Sequence, residues 1–192
     1  LDDLHRHDIR GLLYWQCSDM LIPYGEARFA DSLARDSGGN LIPTWIDCCF
    51  ANASPGTGFY THIMADMTTF LDAYPDIDGV FFDQMCYQCI DYAHTDGITA
   101  VDNHPASLFG YSYEAVVTEL ADRLHEKGKT LWANGPFDLE VQKKVDGIMV
   151  EGTGSIALAG RFSAINVPLA AAAAVPVRGS WQPTQLWVSP GM

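Results

Sequence analysis

Two segments of the chain share one form: Asp78-Gly79-Val80-Phe81-Phe82-Asp83 and Asp146-Gly147-Ile148-Met149-Val150-Glu151. Each is an Asp-Gly pair, three apolar residues and an acid. Consecutive apolar residues without polar alternation predict strands buried on both faces, as in a parallel sheet covered by helices. In α/β folds the carboxyl ends of such strands carry the chemistry. Asp83 and Glu151 fall at those ends. A pair of carboxyl groups suits nucleophilic or acid/base work, one attacking or polarising water while the other passes a proton. Asp47 competes for either role.

The other candidate strand ends present Trp15 with Asp19, Trp45 with Asp47, and Trp132 with Asn134. Carboxylates and amides bind sugar hydroxyls, and indole faces stack on the apolar side of a pyranose. Few histidines fall at strand ends, so the set favours a carbohydrate substrate over a metal, and no cofactor is expected. Glycoside hydrolysis needs two carboxyl groups flanking the bond, roughly 5 Å apart for retention and well beyond 6.5 Å for inversion. Asp83, on a tight strand end, suits a fixed nucleophile. Glu151, followed by Gly152 and a flexible turn, suits an acid/base. Asn134, on the strand between, is placed to hydrogen-bond a hydroxyl or the nucleophile. His5-Arg6-His7 is similar to the His-x-His metal pair of amidohydrolase barrels, but it precedes a strand and reads as a solvated helix end.

The elements that position these residues alternate. Strands are expected at Gly11–Gln16, Leu41–Asp47, Gly79–Asp83, Lys129–Asn134 and Gly147–Glu151. Helices are expected at Glu26–Arg35, Phe59–Ala73, Tyr111–Lys127 and Leu139–Lys144, with Gly38-Gly39 and Gly128 as stops. The stretch from Gln84 to Phe109 reads as a long loop rich in Tyr, His, Asp and Asn, a length that is usually functional. Parallel strands with right-handed crossovers follow. Polar and aromatic residues after every strand favour a barrel over an open sheet. A full (β/α)8 barrel needs about 250 residues, so a single, incomplete or truncated barrel domain over 1–192 is expected, with 165–192 unassigned.

The chain has 192 residues and a formal net charge of -13. Such a surface repels phosphate backbones and argues against nucleic acid. No apolar run is long enough to span a bilayer, so no membrane partner is expected. The first residue is Leu1, nothing there has signal-peptide form, and the chain reads as part of a longer product. Unpaired strand edges in an incomplete barrel would favour self-association. Cys17, Cys48, Cys49, Cys86 and Cys89 all lie in the first half. Cys86-x-x-Cys89 has the spacing of a redox pair or half a zinc site. Pocket-lining thiols or one disulfide is the plainer reading.

From Gly11 to Gly152 the chain resembles a retaining glycoside hydrolase barrel of the melibiase (α-galactosidase-like) and related α-glucosidase group. The resemblance implies that Gly79–Asp83 is the fourth strand, ending in the nucleophile, and that Val145–Glu151 is the sixth, ending in the acid/base. It implies a neutral, α-linked sugar as substrate. Glu151 stands where the melibiases have Asp, and their Lys-x-Asp pattern before the nucleophile is replaced by Phe81-Phe82-Asp83. Two other classes stay open: a metal-dependent barrel hydrolase using Asp19, Asp47, Cys86 or the histidines, and a non-catalytic carbohydrate-binding barrel fragment.

Overall fold

The computed structural model describes residues 1–85, 89–136, 138–151, 177–180 and 187–188, with residue 139 and those from 150 onward by backbone alone. In chain order the elements are α1 (Asp2–Arg6), β1 (Leu12–Gln16), β2 (Asp19–Leu21), α2 (Ile22–Arg28), β3 (Cys48–Phe50), α3 (Gly58–Ala73), β4 (Gly79–Asp83), β5 (Ile90–Asp91), β6 (Ala100–Val101), β7 (His104–Pro105), β8 (Ser107–Leu108), α4 (Glu114–Glu126), β9 (Thr130–Asn134), α5 (Leu139–Gln142), β10 (Gly147–Glu151), β11 (Val177–Ser180) and β12 (Trp187–Val188). Short 3-10 turns lie at Ala30–Ser32 and Phe109–Tyr113.

The protein is mixed α/β. One sheet has the order β1-β4-β9-β10-β11-β12. Within it β4, β9, β10 and β11 run parallel, and β12 pairs antiparallel with β11. The last two strands fall in the stretch that the sequence leaves unassigned. The chain divides into two compact units. The first holds residues 1–15, 74–85 and the described residues from 117 onward. The second holds residues 16–73 and 89–116.

In the first unit, side chains alternate across the sheet as strand geometry requires. Val80, Phe82, Leu131, Ala133 and Ile148 are fully buried on one face. The crossover from β4 to β9 carries α4, whose Val117, Leu120, Ala121 and Leu124 are likewise buried. On the other face Phe81, Asp83, Trp132 and Met149 are half-buried, and Leu12 and Tyr14 are exposed. The expectation of strands covered on both faces is therefore corrected: among the described residues this second face is open. A cavity of about 830 Å³ lies on it, walled by Leu12, Phe81, Trp132 and Met149 and reaching Asp78 and Thr130 at the strand starts.

The second unit departs further from the sequence reading. No sheet strand spans Leu41–Asp47. Only isolated bridges, Arg35 with Leu41 and Pro43 with Cys49, occur there. Pro43 has no N–H to give a ladder, and Asp47 turns through a positive φ of 60°. The strand begins instead at Cys48, and it pairs antiparallel with β2 in a two-stranded ribbon. The helix expected at Glu26–Arg35 is also corrected. It starts earlier, with Pro23 in its first turn, and ends at Arg28. Backbone bonds from Ala34 N to Phe50 O, from Ile42 N to Ala34 O and from Asn52 N to Ser32 O tie this stretch to its neighbours, with Leu33 and Arg35 in isolated bridges. Tertiary hydrogen bonding overrides the helical spacing of Ala27, Ala30, Leu33 and Ala34. The long loop after β4 contains two small ribbons, β5 with β8 and β6 with β7. The second turns through Asp102 and Asn103, both at positive φ, a combination that two-residue hairpins favour.

Candidate active site

Asp83 is the last residue of β4, and Asn134 is the last of β9. The register pairs Phe82 with Ala133, so the next residues, Asp83 and Asn134, stand side by side. Asn134 Nδ2 donates to Asp83 Oδ1 at 2.7 Å. The Tyr14 hydroxyl, from β1, donates to Asp83 Oδ2. Both carboxylate oxygens are thus held by donors from two different neighbouring strands. Asn134 is buried, 6% exposed, so its amide is a fixed donor rather than a mobile one.

The backbone beyond each residue leaves the sheet abruptly. Gln84 follows Asp83 at φ 60°, and Gly135 follows Asn134 at φ 64°. Glycine takes that conformation freely, but for glutamine it carries a strain of order 1 kcal/mol. Two hydrogen bonds past the strand ends hold these exits: Met85 N donates to Asn134 O at 3.0 Å, and Gly135 N to Met149 O at 2.8 Å. Strain retained beside a candidate catalytic group is a recurring functional signature.

Glu151 ends β10, two positions beyond Met149, which pairs with Asn134. Two strand spacings across and two residues along put the Cα atoms of Asp83 and Glu151 roughly 12 Å apart. Trp132 lies two residues below Asn134 on the open face. Its indole covers Gly147, where an added Cβ would come within 2.4 Å of the ring. It lines the cavity toward the strand starts. Trp15 is half-buried on β1, next to Tyr14 in sequence.

The remaining sequence candidates belong to the second unit. Asp19 is half-buried on β2 and accepts from Gln16 Nε2 at 2.7 Å. Burial raises its pKa, against lowering by the hydrogen bond from Gln16. Trp45 and Asp47 occupy an exposed turn, with Trp45 59% accessible. The sequence reading missed Tyr14. Its signal was the exposed place in the alternation of β1, which the apolar run Leu12-Leu13-Tyr14-Trp15 hid.

The thiols do not form a reactive cluster among the described residues. Cys17, Cys48, Cys49 and Cys89 are free, and Cys86 lies outside the described residues. Burial pushes the Cys89 thiol up to about 11, helped by the Asp91 charge. Burial and the Asp19 charge likewise push Cys17 well up. Such thiols stay protonated near neutrality and are poor nucleophiles and poor metal ligands. Among the described residues no group of three or more His, Cys, Asp or Glu side chains is arranged to hold a metal, and no helix is long and apolar enough to cross a membrane.

No family model matches the chain. No curated protein matches it in sequence either. Solved structures do resemble it. An α-N-acetylgalactosaminidase from Bifidobacterium bifidum aligns at a TM-score of 0.50 and 9% identity, over 77% of this chain and 23% of that one. A maltogenic α-amylase from Thermotoga neapolitana aligns at 0.49 and 14%, over 78% and 30%. A chitinase from Chromobacterium violaceum aligns at 0.49 and 13%, over 93% and 51%. The chain therefore spans between about a quarter and a half of the length of these structures. At such identities the likeness to the first is one of fold alone: a parallel-stranded α/β sheet of the kind found in a glycosidase.

Proposed function

We propose that this chain carries the active centre of a glycoside hydrolase, with Asp83 as nucleophile and Glu151 as acid/base. The observation that carries the reading is the Asp83 carboxylate, fixed at the end of a parallel strand by Asn134 at 2.7 Å and by Tyr14. A carboxylate held by two donors is kept in one orientation, which an attacking group needs. Glu151 ends the next strand but one, at the same end of the sheet. On this reading the two carboxyl groups work roughly 5 Å apart, as a retaining mechanism requires.

The finer reading is a retaining enzyme of melibiase-like type, built on an incomplete (β/α) barrel and acting on a neutral α-linked sugar. The open sheet face, with its half-buried Trp132, supports it as the inner wall of such a barrel, where indole and amide would meet a pyranose. The reading adds Trp15 as a further substrate contact; the other expected contacts, Asp19, Trp45 and Asp47, belong to the second unit. Hydrolysis of a panel of aryl α- and β-glycosides by wild type, Asp83→Asn and Glu151→Gln tests it. Turnover by wild type and its loss by a factor of about a thousand in Asp83→Asn, with folding retained, is the expected result. A fully active Asp83→Asn variant overturns the assignment.

A further inference from the structure

Tyr14 is the one partner of Asp83 that no sequence pattern announces, and its position is informative. It stands on β1 with its ring 6.1 Å from Phe81 of β4, tilted by 33°. It is 57% exposed, so it is no core residue. Its hydroxyl nevertheless donates to Asp83 Oδ2, while the buried Asn134 amide holds Oδ1. The two donors differ in kind. The amide fixes orientation, and the phenol sits on the exposed side of the carboxylate.

Resting on the two-carboxylate reading above, we propose that Tyr14 is a positioning residue that acts mainly in the second half of the reaction, by easing the departure of the Asp83 carboxylate. In the first step an Asp83 oxygen bonds to the anomeric carbon. The glycosidic C–O bond breaks, and the leaving oxygen takes a proton from Glu151. In the second step water attacks the same carbon and gives a proton to Glu151. The sugar–Asp83 bond breaks and its electron pair returns to the carboxylate. Negative charge therefore leaves Asp83 in the first step and comes back in the second.

A hydrogen bond to a charged carboxylate is about twice as strong as one to a neutral acceptor. The Tyr14 hydroxyl thus favours the free carboxylate over the glycosyl ester. Without it Asp83 is a somewhat better nucleophile and a poorer leaving group. Asn134 still holds Oδ1, so orientation survives. The covalent intermediate should then accumulate.

Tyr14→Phe keeps the ring against Phe81 and removes only the hydroxyl. Its kinetics on activated 2,4-dinitrophenyl glycosides of neutral hexoses and N-acetylhexosamines separate the steps. The expected result is a fall in kcat of about tenfold or more. KM falls in parallel, kcat/KM stays nearly unchanged, and a sugar adduct appears in the intact mass at steady state. An equal loss of kcat and kcat/KM without adduct overturns the proposal, because the hydroxyl would then serve the first step or substrate binding. So do unchanged kinetics in Tyr14→Phe. If wild type and variant both fail to turn over every glycoside tried, the reading of the site falls and this inference falls with it. If wild type turns over and Asp83→Asn does not, the site reading stands whatever Tyr14→Phe shows.

Discussion

The two ends of the central strands use the same residue types for opposite purposes. At the strand starts, each Asp-Gly pair is a latch. Asp78 Oδ2 accepts from the backbone N of Gly11 at 2.8 Å and faces His5 Nε2 at 2.8 Å. Asp146 Oδ2 accepts from the backbone N of Leu131 at 2.7 Å and faces His125 Nε2 at 2.8 Å. Each latch joins the start of one strand to the start of its sheet neighbour, and each takes a histidine from the helix before that neighbour. The glycines follow from crowding. A Cβ at Gly79 would fall 2.1 Å from the Thr130 carbonyl oxygen, and one at Gly147 would meet the Trp132 ring. At the strand ends, Asp83 is tied to side chains rather than to backbone, and it remains half-exposed. An acid spent on backbone N–H groups closes the sheet. An acid held by side chains facing an open surface stays available for chemistry. The proposed site would make the second of these the chemical end and the first the stability end.

The comparison breaks most sharply on activity. Asp83→Asn should lose about a thousandfold in kcat, near 4 kcal/mol of barrier, with little change in the urea midpoint. Asp78→Ala should do the reverse, leaving kcat per folded molecule within about twofold.

Next come the glycines. Gly79→Ala forces a methyl into a backbone carbonyl and should destabilise by about 3 kcal/mol or more. Gly147→Ala meets only the indole, which can rotate, so its cost should be smaller, about 1–2 kcal/mol. Urea unfolding of both variants reads the difference, and equal losses would show that the two contacts are equally rigid.

The latches themselves should follow. Asp78→Ala should cost about 2 kcal/mol, as for a charged hydrogen-bonding group. Asp146→Ala should cost less, since Asp146 is more exposed, 36% against 16%. The backbone bond from Gly11, with His5 and Arg10 adding to it, holds the Asp78 carboxyl down to about 2. A depressed value of this kind stabilises the fold above the ordinary carboxylate range. That stability is lost as pH falls from about 4 toward 2. Wild type and Asp78→Asn should therefore converge in stability at low pH.

The smallest effect belongs to the second unit, where a third acid–histidine pair works differently. Asp91 is fully buried. It accepts from Arg35 N at 3.1 Å, Ala93 N at 2.9 Å, Asn52 Nδ2 at 3.0 Å and His94 Nδ1 at 2.6 Å. His94 Nε2 meets Asp31 O at 2.8 Å. Both ring nitrogens face acceptors, so the imidazolium satisfies both. Burial works against that charge, but the hydrogen bonds and charges of Asp91 and Asp31 outweigh it and raise the His94 pKa. Stability from this pair should be complete below the unfolded histidine value near 6.5 and should fade as pH rises through the raised one. His94→Gln should flatten that decline in a thermal-shift series from pH 5 to 9.

How much of this was legible varies with the kind of interaction. The central strands β1, β4, β9 and β10 and the helices α3 and α4 were readable, because local apolar runs and helical spacing match the burial that they meet. The repeated Asp-Gly signature was visible, but its use was not, since the partner of Asp78 is the backbone of Gly11, far away in sequence. Asn134 beside Asp83 was legible from two adjacent strand ends. Tyr14 was not, because an aromatic residue inside an apolar strand looks like core until the alternation of faces is known. The region 22–50 misled for a related reason. Ala-rich helical spacing competed with hydrogen bonds to Phe50 and Asn52, which no local pattern reveals.

The most direct measurement is to identify the residue that carries the sugar. Wild type would be incubated with activated fluorinated glycosides, which slow the second step, then digested and mapped by mass spectrometry. A single adduct on Asp83, absent in Asp83→Asn, is the expected result. Turnover of ordinary glycosides with the adduct on any other residue, Tyr14 included, would contradict it.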